Sequence, residues 1–453
     1  MEEYKNLNEQ VAQETKSAKA IDVKKIGIFA AIGVVAVGAI IALILLLGGN
    51  KPDNEPSGDP PHTHSFVEGK CECGESDPNY KPDDESDGVG DTYEEEPDPD
   101  RDQFIDSIGS VSETFKGAVS ENTYNTANDA ATAFVNEELA GEAEATVQSV
   151  KSNGKVSESK LNSLIPADLL VGSDSVEEIE VVYNLSTASA YTRSGGATPV
   201  SKTVKVYVIK YGVDWKYFTP APINGDTITK SYYDSVFNTE KYLNCTFENN
   251  AEINISALAD GEYMDMKMST RQFIKHADGK VYFEYTLSTS GSMAELDETV
   301  TICIYLETVG DKVECYVKNP YGDDWMEGDL EMIGFTSIDQ LVPFHDQYLD
   351  YTYFTKTSYG FALGQENAKR YFMQALGASL EGMGLDLNMD DAELDMFAEY
   401  YVSDGVLSGM RLNADFAWDF MIEGAFATIK ESATTMLKCT DYGTTVIERP
   451  NVD

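Results

Sequence analysis

Apolar and polar residues alternate along Ile253-Asn-Ile-Ser-Ala-Leu258 and again along Tyr263-Met-Asp-Met-Lys-Met-Ser269. The pair Asp260-Gly261 between these segments has the residue types of a tight hairpin turn. Side chains two positions apart share one face of a strand, so each segment turns one apolar face to a core. The same pattern predicts further strands over Val281–Ser288, Thr299–Glu307 and Val313–Lys318. Together these segments predict an antiparallel meander.

A helical block follows the meander before more strands begin. Amphipathic spacing predicts helices over Glu366–Leu380 and Asp391–Tyr401, which we expect to pack across the concave face of the sheet. Alternation then predicts strands over Gly405–Ala414, Ala425–Ser432 and Ala433–Cys439. Residues 241–453 are therefore predicted to form one antiparallel β domain with a helical lid.

This order of elements, with the ending Tyr442-Gly-Thr-Thr-Val-Ile-Glu-Arg-Pro450, resembles the LolA-like lipoprotein fold. The resemblance implies an incomplete β-barrel that shields acyl chains between its sheet and its helices. It predicts a cavity for a lipid or another apolar ligand, although a row of Met and aromatic residues is also found in ordinary packed cores. The expected cavity residues are Met264, Met266, Met268, Phe283, Tyr285, Phe372 and Leu376.

Residues 103–240 are predicted to form a smaller α+β domain. Helical spacing appears from Phe104 to Phe115, and again from Ala127 to Val135 after a cap at Asn122 or Thr123. Strand-like alternation follows over Ile179–Tyr183 and Val204–Ile209. With the turn Gly212-Val-Asp-Trp-Lys216, this order of elements is similar to the NTF2-like fold. The resemblance implies a sheet curled around an apolar pocket, but no acid/base pair can be assigned to such a pocket.

The N-terminal region has the pattern of a membrane anchor. Residues Ile26–Leu47 are 22 consecutive uncharged positions, which is enough for a helix to cross a hydrocarbon layer of about 30 Å. The lysines of residues 1–25 predict a cytoplasmic tail, a transmembrane anchor at 26–48, and an extracellular remainder. We therefore expect a single-pass plasma-membrane protein of a Gram-positive-type bacterium.

An acidic segment over residues 49–102 is predicted to be a disordered tether. Its residues 51–102 carry 18 acidic and 4 basic side chains. Within it, residues 62–80 resemble a short Cys/His element of Gram-positive surface proteins. Two imidazoles and two thiolates match the ligand set of structural zinc, whereas a vicinal thiol or disulfide pair and a plain linker are the alternatives. The predicted zinc ligands are His62, His64, Cys71 and Cys73.

The remaining cysteines do not predict a disulfide-stapled fold. Strand parity places Cys315 on the core face of its hairpin and Cys303 on the opposite face, so a bridge between them is not expected. We predict that Cys245, Cys303, Cys315 and Cys439 are buried or idle thiols.

Composition limits the function of the 453-residue chain. Its formal net charge of −45 argues against nucleic-acid partners, because phosphate binding depends on clustered Lys and Arg. The two S-x-x-K matches, which end at Lys155 and Lys160, lack a K-T-G partner, and no catalytic triad can be assigned.

The predicted class is α+β, with one transmembrane helix and two sheet-plus-helix domains. A non-enzymatic envelope protein that binds an apolar ligand is favoured over an interaction module without a small ligand, and over a hydrolase.

Overall fold

The computed structural model describes only part of the chain. The described residues are 66–67, 70–71, 99–186, 200–259, 262–292, 298–319, 324–328, 338, 350–363, 367, 392–422 and 425–451, except positions 110, 113, 142 and 311. Four α-helices lie in these ranges: α1 (Pro99–Ile108), α2 (Ala127–Phe134), α3 (Glu158–Leu164) and α4 (Lys230–Val236). Shorter helical turns span Val135–Leu139, Ala167–Leu170, Thr239–Tyr242 and Tyr351–Tyr353.

The smaller of the two large sheets has five antiparallel strands. These strands are β3 (Ala118–Val119), β4 (Glu144–Lys155), β5 (Ser175–Ser186), β6 (Val200–Tyr211) and β7 (Asp214–Thr219), after a two-residue hairpin of β1 (Phe66–Val67) and β2 (Lys70–Cys71). Their spatial order is β3-β7-β6-β5-β4. Helix α2 packs across one face and buries Ala131 and Phe134 against Ile179, Val208 and Tyr217. The space between helix and sheet is thus a filled core.

The larger sheet has eleven antiparallel strands. In chain order they are β8 (Cys245–Ala259), β9 (Glu262–Ala277), β10 (Lys280–Ser290), β11 (Glu298–Val309), β12 (Lys312–Lys318), β13 (Trp325–Glu327), β14 (Phe354–Thr357), β15 (Gly360–Leu363), β16 (Glu393–Ser403), β17 (Val406–Ile422) and β18 (Ala425–Thr440). The spatial order is β13-β12-β11-β10-β9-β8-β18-β17-β16-β15-β14. The meander β8 to β13 thus joins the second run of strands through the pair β8–β18.

The two faces of the larger sheet have different environments. We call the face that bears Phe247, Ile253, Tyr400 and Leu412 the inner face, because these side chains belong to the main core. Helix α1 lies on the opposite, outer face, where the Phe104 ring packs edge-on at 5.5 Å from the Tyr401 ring. The five predicted meander strands are confirmed, and each is longer than its alternation indicated.

The predicted fold class is wrong. The described chain is mostly antiparallel sheet, which does not fit an α+β protein with helical layers. No helix within the described ranges has the length and apolar character needed to cross a membrane, and the predicted anchor at 26–48 lies outside those ranges. The predicted helix Asp391–Tyr401 is also wrong, because Glu393–Ser403 is strand β16.

Backbone pairing accounts for two further differences between the structure and the sequence prediction. Strand β4 was not predicted, because two bulges, at Val147/Ser149 and Ser152/Gly154, interrupt its alternation. Helix α2 begins at Ala127 with Thr126 as its cap, whereas the sequence predicts Asn122 or Thr123 as the cap. The backbone of Tyr124 is instead hydrogen-bonded to Trp215 of β7.

Hydrogen bonds join the two large sheets. Glu138 is buried at the end of the helical turn after α2 and accepts hydrogen bonds from the Ser231 backbone N–H (2.8 Å) and hydroxyl (2.6 Å) at the start of α4. The Tyr217 hydroxyl of β7 donates to the same carboxylate at 3.2 Å. The connecting segment also pairs with the edge strand β14, through a bridge between Thr227 and Thr355. The connection therefore covers an edge of the larger sheet that would otherwise present unpaired backbone groups.

Candidate functional site

The strand parity that the sequence predicted places the expected cavity residues together on the inner face. Pairing across β9, β8 and β10 puts Met264 opposite Ala257, Met268 opposite Ile253, and Phe283 opposite Ile274. Phe283 and Tyr285 stand on alternate positions of β10 with near-parallel rings, whose centroids are 6.5 Å apart. The structure thus brings together five expected residues, Met264, Met266, Met268, Phe283 and Tyr285. Phe372, Leu376 and nearly all of the first predicted lid helix, Glu366–Leu380, lie outside the described residues.

Aromatic packing covers the inner face on the side of β14 to β17. Phe237, which follows α4, packs edge-on against Phe361 at 5.7 Å and against Tyr400 at 6.1 Å. Phe354 and Tyr232 complete a cluster of fully buried rings. Among the described residues, this half of the face is packed as an ordinary core.

The side formed by β9 to β12 is more open. Met264, Met266, Phe283 and Leu287 are only partly buried although they contact the main core. Toward the edge, the inward-facing Val300, Ile302 and Val313 are 42%, 41% and 38% exposed. Met264, Met266, Phe283, Leu287, Val300 and Ile302 form one apolar surface, the open patch. Val313 lies apart from it, beyond the buried Ile304 and Leu306 of β11. A contiguous apolar surface that stays exposed is typical of a binding site.

One ionisable side chain interrupts the inner face between its two halves. Glu431 of β18 lies opposite Ile255 of β8 and Phe416 of β17, and it is 5% exposed. Within the described part of the chain, its Oε2 atom has no hydrogen-bond partner. Burial raises the pKa of this carboxyl group to about 8, because the apolar surroundings disfavour the charged form.

Two neutral polar groups lie along the same seam between β8 and β18. Asn249 is opposite Leu437, and Thr435 is opposite Ala251. The Oδ1 atom of Asn249 and the Oγ1 atom of Thr435 are buried and, among the residues that the structure describes, accept or donate no hydrogen bond. Buried polar atoms are nearly always satisfied in proteins, so these three atoms on one seam are free to hydrogen-bond an ordered water or a polar group of a ligand.

The opposite face holds a groove of about 650 Å³ with a different character. It crosses β9, β8, β18, β17 and β16, and in each strand the outward side chains line it while the middle residue contributes its backbone. The outward side chains include Asp265, Lys267, Asp415, Lys430, Glu393 and Asp395. A floor of charged groups does not suit an acyl chain, so this groove is not the predicted apolar cavity.

The S-x-x-K match at Ser157-Glu-Ser-Lys160 has a structural role. The Lys160 ammonium group pairs with Glu178 of β5, and the Lys205 ammonium lies 3.5 Å from the same carboxylate. The hydrogen bond from Lys160 is the main reason why the pKa of Glu178 is lowered to about 2. A lysine held in an ion pair cannot act as the general base for Ser157. This geometry agrees with the expectation that the match is not catalytic.

The cysteine prediction is confirmed for the folded part. Cys245, Cys303, Cys315 and Cys439 are all free and buried. Burial raises the pKa of the Cys245 and Cys439 thiols, which makes both of them poor nucleophiles at neutral pH.

The zinc ligands stay a prediction. Strands β1 and β2 pair with Phe66 opposite Cys71, so the chain reverses within the Cys/His element as the sequence indicated. His62, His64 and Cys73 lie outside the described residues, and the side chain of Cys71 is not described either. Within the described ranges, no group of three or more His, Cys, Asp or Glu side chains is arranged to hold a metal ion.

The sequence prediction missed Glu431, although a signal was present. Along Ile429-Lys-Glu-Ser-Ala433, the acid falls on the same parity as the apolar residues, and it therefore points to the core. The signal is weak because the sequence predicts two shorter strands here, Ala425–Ser432 and Ala433–Cys439, which puts Glu431 next to a strand end. An acid near the end of a short strand is commonly exposed.

Comparison with known proteins gives one distant similarity. No family model matches the chain, and no curated protein matches it. Among solved structures, a DUF1329 family protein from Desulfovibrio piger is similar, with 10% identity, a TM-score of 0.15, and coverage of 48% of this chain and 94% of that one. Neither fold nor function is inferred from a likeness at this level, and no family match confirms the resemblance to LolA-like or NTF2-like proteins.

Proposed function

We propose that this protein is a non-enzymatic binding protein that holds an apolar ligand on the inner face of its larger sheet. The observation that carries the proposal is the open patch, where Val300 and Ile302 stay exposed on the same face as the buried core. Burying apolar surface stabilises a complex by roughly 25 cal/mol per Å², so an acyl chain laid on this patch gains affinity without new polar contacts. The flexible thioethers of Met264 and Met266 suit chains of different shape.

Two substitutions on one strand test this function. Ile302 faces inward on β11, and its neighbour Thr301 is exposed on the outer face. Ile302→Asp places a charge in the open patch, so we expect the affinity of the full-length protein for a fluorescent fatty acid to fall at least about tenfold, or 1.4 kcal/mol. Thr301→Asp puts the same charge on the other face and is expected to change the affinity less than twofold.

Organic extraction of the purified protein, followed by mass spectrometry, gives an independent measurement. We expect an extractable acyl compound in the wild type and a reduced amount in Ile302→Asp. Wild-type protein that is reproducibly empty and that also fails to bind the fluorescent fatty acid would exclude the proposed function.

A further inference from the structure

Glu431 lies within reach of the open patch. It is adjacent to Ile255 on β8, and Ile255 is adjacent to Met266 on β9, so the three residues form one row across the inner face. Neighbouring strands are about 4.8 Å apart, which places Glu431 about 10 Å from Met266. A ligand with its tail on the patch would therefore reach Glu431 with its head.

The Oε2 atom of Glu431, which has no hydrogen-bond partner among the described residues, is costly for the fold. Leaving a buried hydrogen-bonding group unsatisfied costs about 1–3 kcal/mol, and more if it is charged. The raised pKa keeps Glu431 mostly protonated at pH 7, so the group offers one O–H donor together with acceptor oxygens. A neutral carboxyl group of this kind forms paired hydrogen bonds with hydroxyl, amide and carboxylic-acid groups.

The surroundings of Glu431 disfavour an anionic head. Along the described strands β8, β17 and β18, the inward positions carry no Lys or Arg, and none occurs on the inward side of β9 from Met264 to His276. A phosphate brought to this seam would lose its hydration without gaining a cation. A head that is neutral when bound does not incur this cost.

We propose that Glu431 binds the polar head of the ligand and selects an uncharged, hydrogen-bonding head, such as a hydroxyl or a protonated carboxylic acid, over a phosphate. The selection rests on the proposed function, because the tail must occupy the open patch. Thr435 and Asn249, farther along the same seam, offer further polar atoms to a longer head group.

Probes with one tail and different heads test this selection. We would measure binding of hexadecanol and hexadecyl phosphate to the full-length protein by displacement of N-phenylnaphthylamine, an uncharged apolar dye without a polar head. We expect the wild type to bind the alcohol at least tenfold more tightly than the phosphate. Glu431→Leu is expected to weaken binding of the alcohol about tenfold and to leave binding of the dye unchanged, since it removes a hydrogen bond and not the patch.

Two control variants make the result specific. Glu431→Gln keeps a neutral hydrogen-bonding side chain and should retain alcohol affinity within threefold. Glu252→Leu makes the same change on the exposed outer face of β8 and should change nothing. If the dye binds but Glu431→Leu leaves the alcohol unaffected, or if the phosphate binds as tightly as the alcohol, the selection is wrong and the proposed function survives. If the wild type binds neither dye nor alcohol, both are wrong.

Discussion

Glu431 links stability to pH in a direction opposite to that of a paired surface acid. Its pKa is raised to about 8 in the folded protein from an ordinary value of 4.5. Between these pH values the folded state holds a proton that the unfolded state has released. Stability therefore falls as pH rises through this window, by up to about 1.4 kcal/mol per pH unit, and the loss is complete above the folded pKa.

Replacement of this residue should remove that dependence. We expect the free energy of unfolding of Glu431→Gln to fall less steeply than that of the wild type between pH 5 and 8, and the two curves to diverge most at pH 8 and above. Urea denaturation at a series of pH values measures the difference. Glu252→Gln, on the exposed outer face, should follow the wild-type curve, and an unchanged slope in Glu431→Gln would contradict a protonated Glu431.

Gly141 shows how a turn fixes the contact between two elements. Its φ of +58° is in the left-handed region, and an added Cβ atom would lie 2.4 Å from Oδ1 of Asp350. The Asp350 carboxylate cannot easily withdraw, because it accepts hydrogen bonds from the Thr352 backbone N–H (2.8 Å) and hydroxyl (2.6 Å). The Gly141 backbone N–H in turn donates to the Tyr351 hydroxyl at 2.7 Å. The turn after α2 is thus closely fitted to the segment that precedes β14.

An alanine comparison separates this contact from backbone strain. Gly212→Ala, at φ +63° in open space, should cost only the left-handed strain of about 1–2 kcal/mol. Gly141→Ala should cost about 2 kcal/mol more, because the added methyl group also collides with Asp350. Thermal denaturation of both variants checks the difference, and equal melting temperatures would show that Asp350 moves aside.

Prediction from sequence succeeded for elements whose side chains alternate without interruption. The strands of the meander turn one face to the main core, so period two is visible in β8 to β12, although a small second cluster at Ala277, Tyr305 and Ile447 is buried on their outer face. The alternation fails in β16, where Glu399, Tyr400 and Tyr401 are all buried because α1 covers the outer face. A strand that is buried on both faces lacks alternation, and its sequence pattern cannot be told from that of a buried helix. The inner-face row at Met264 and Phe283 was likewise predictable by parity, whereas the environment of Glu431 depends on strands distant in sequence.

At the scale of the whole molecule, the two large sheets are held as one unit by a small number of polar contacts. Glu138 is 3% exposed and accepts hydrogen bonds from two sides. Tyr217 belongs to the five-stranded sheet, and Ser231 belongs to α4, which packs into the core of the larger sheet. Hydrogen bonds to a charged group contribute about 1.5–3 kcal/mol, so this one carboxylate accounts for a large part of the coupling. The apolar cores on either side are separate clusters.

Loss of this carboxylate should therefore uncouple the two sheets before it unfolds either of them. We expect the wild type to melt in one calorimetric transition and Glu138→Ala to melt in two, with the five-stranded sheet unfolding first because it has the smaller core. Glu121→Ala removes an exposed carboxylate from the same unit and should leave the single transition intact. Because the open patch lies on the larger sheet, far along the chain from the joint, Glu138→Ala should still bind the fluorescent fatty acid. A single transition at the wild-type temperature would mean that the backbone pairing of Thr227 with Thr355 holds the sheets together without Glu138.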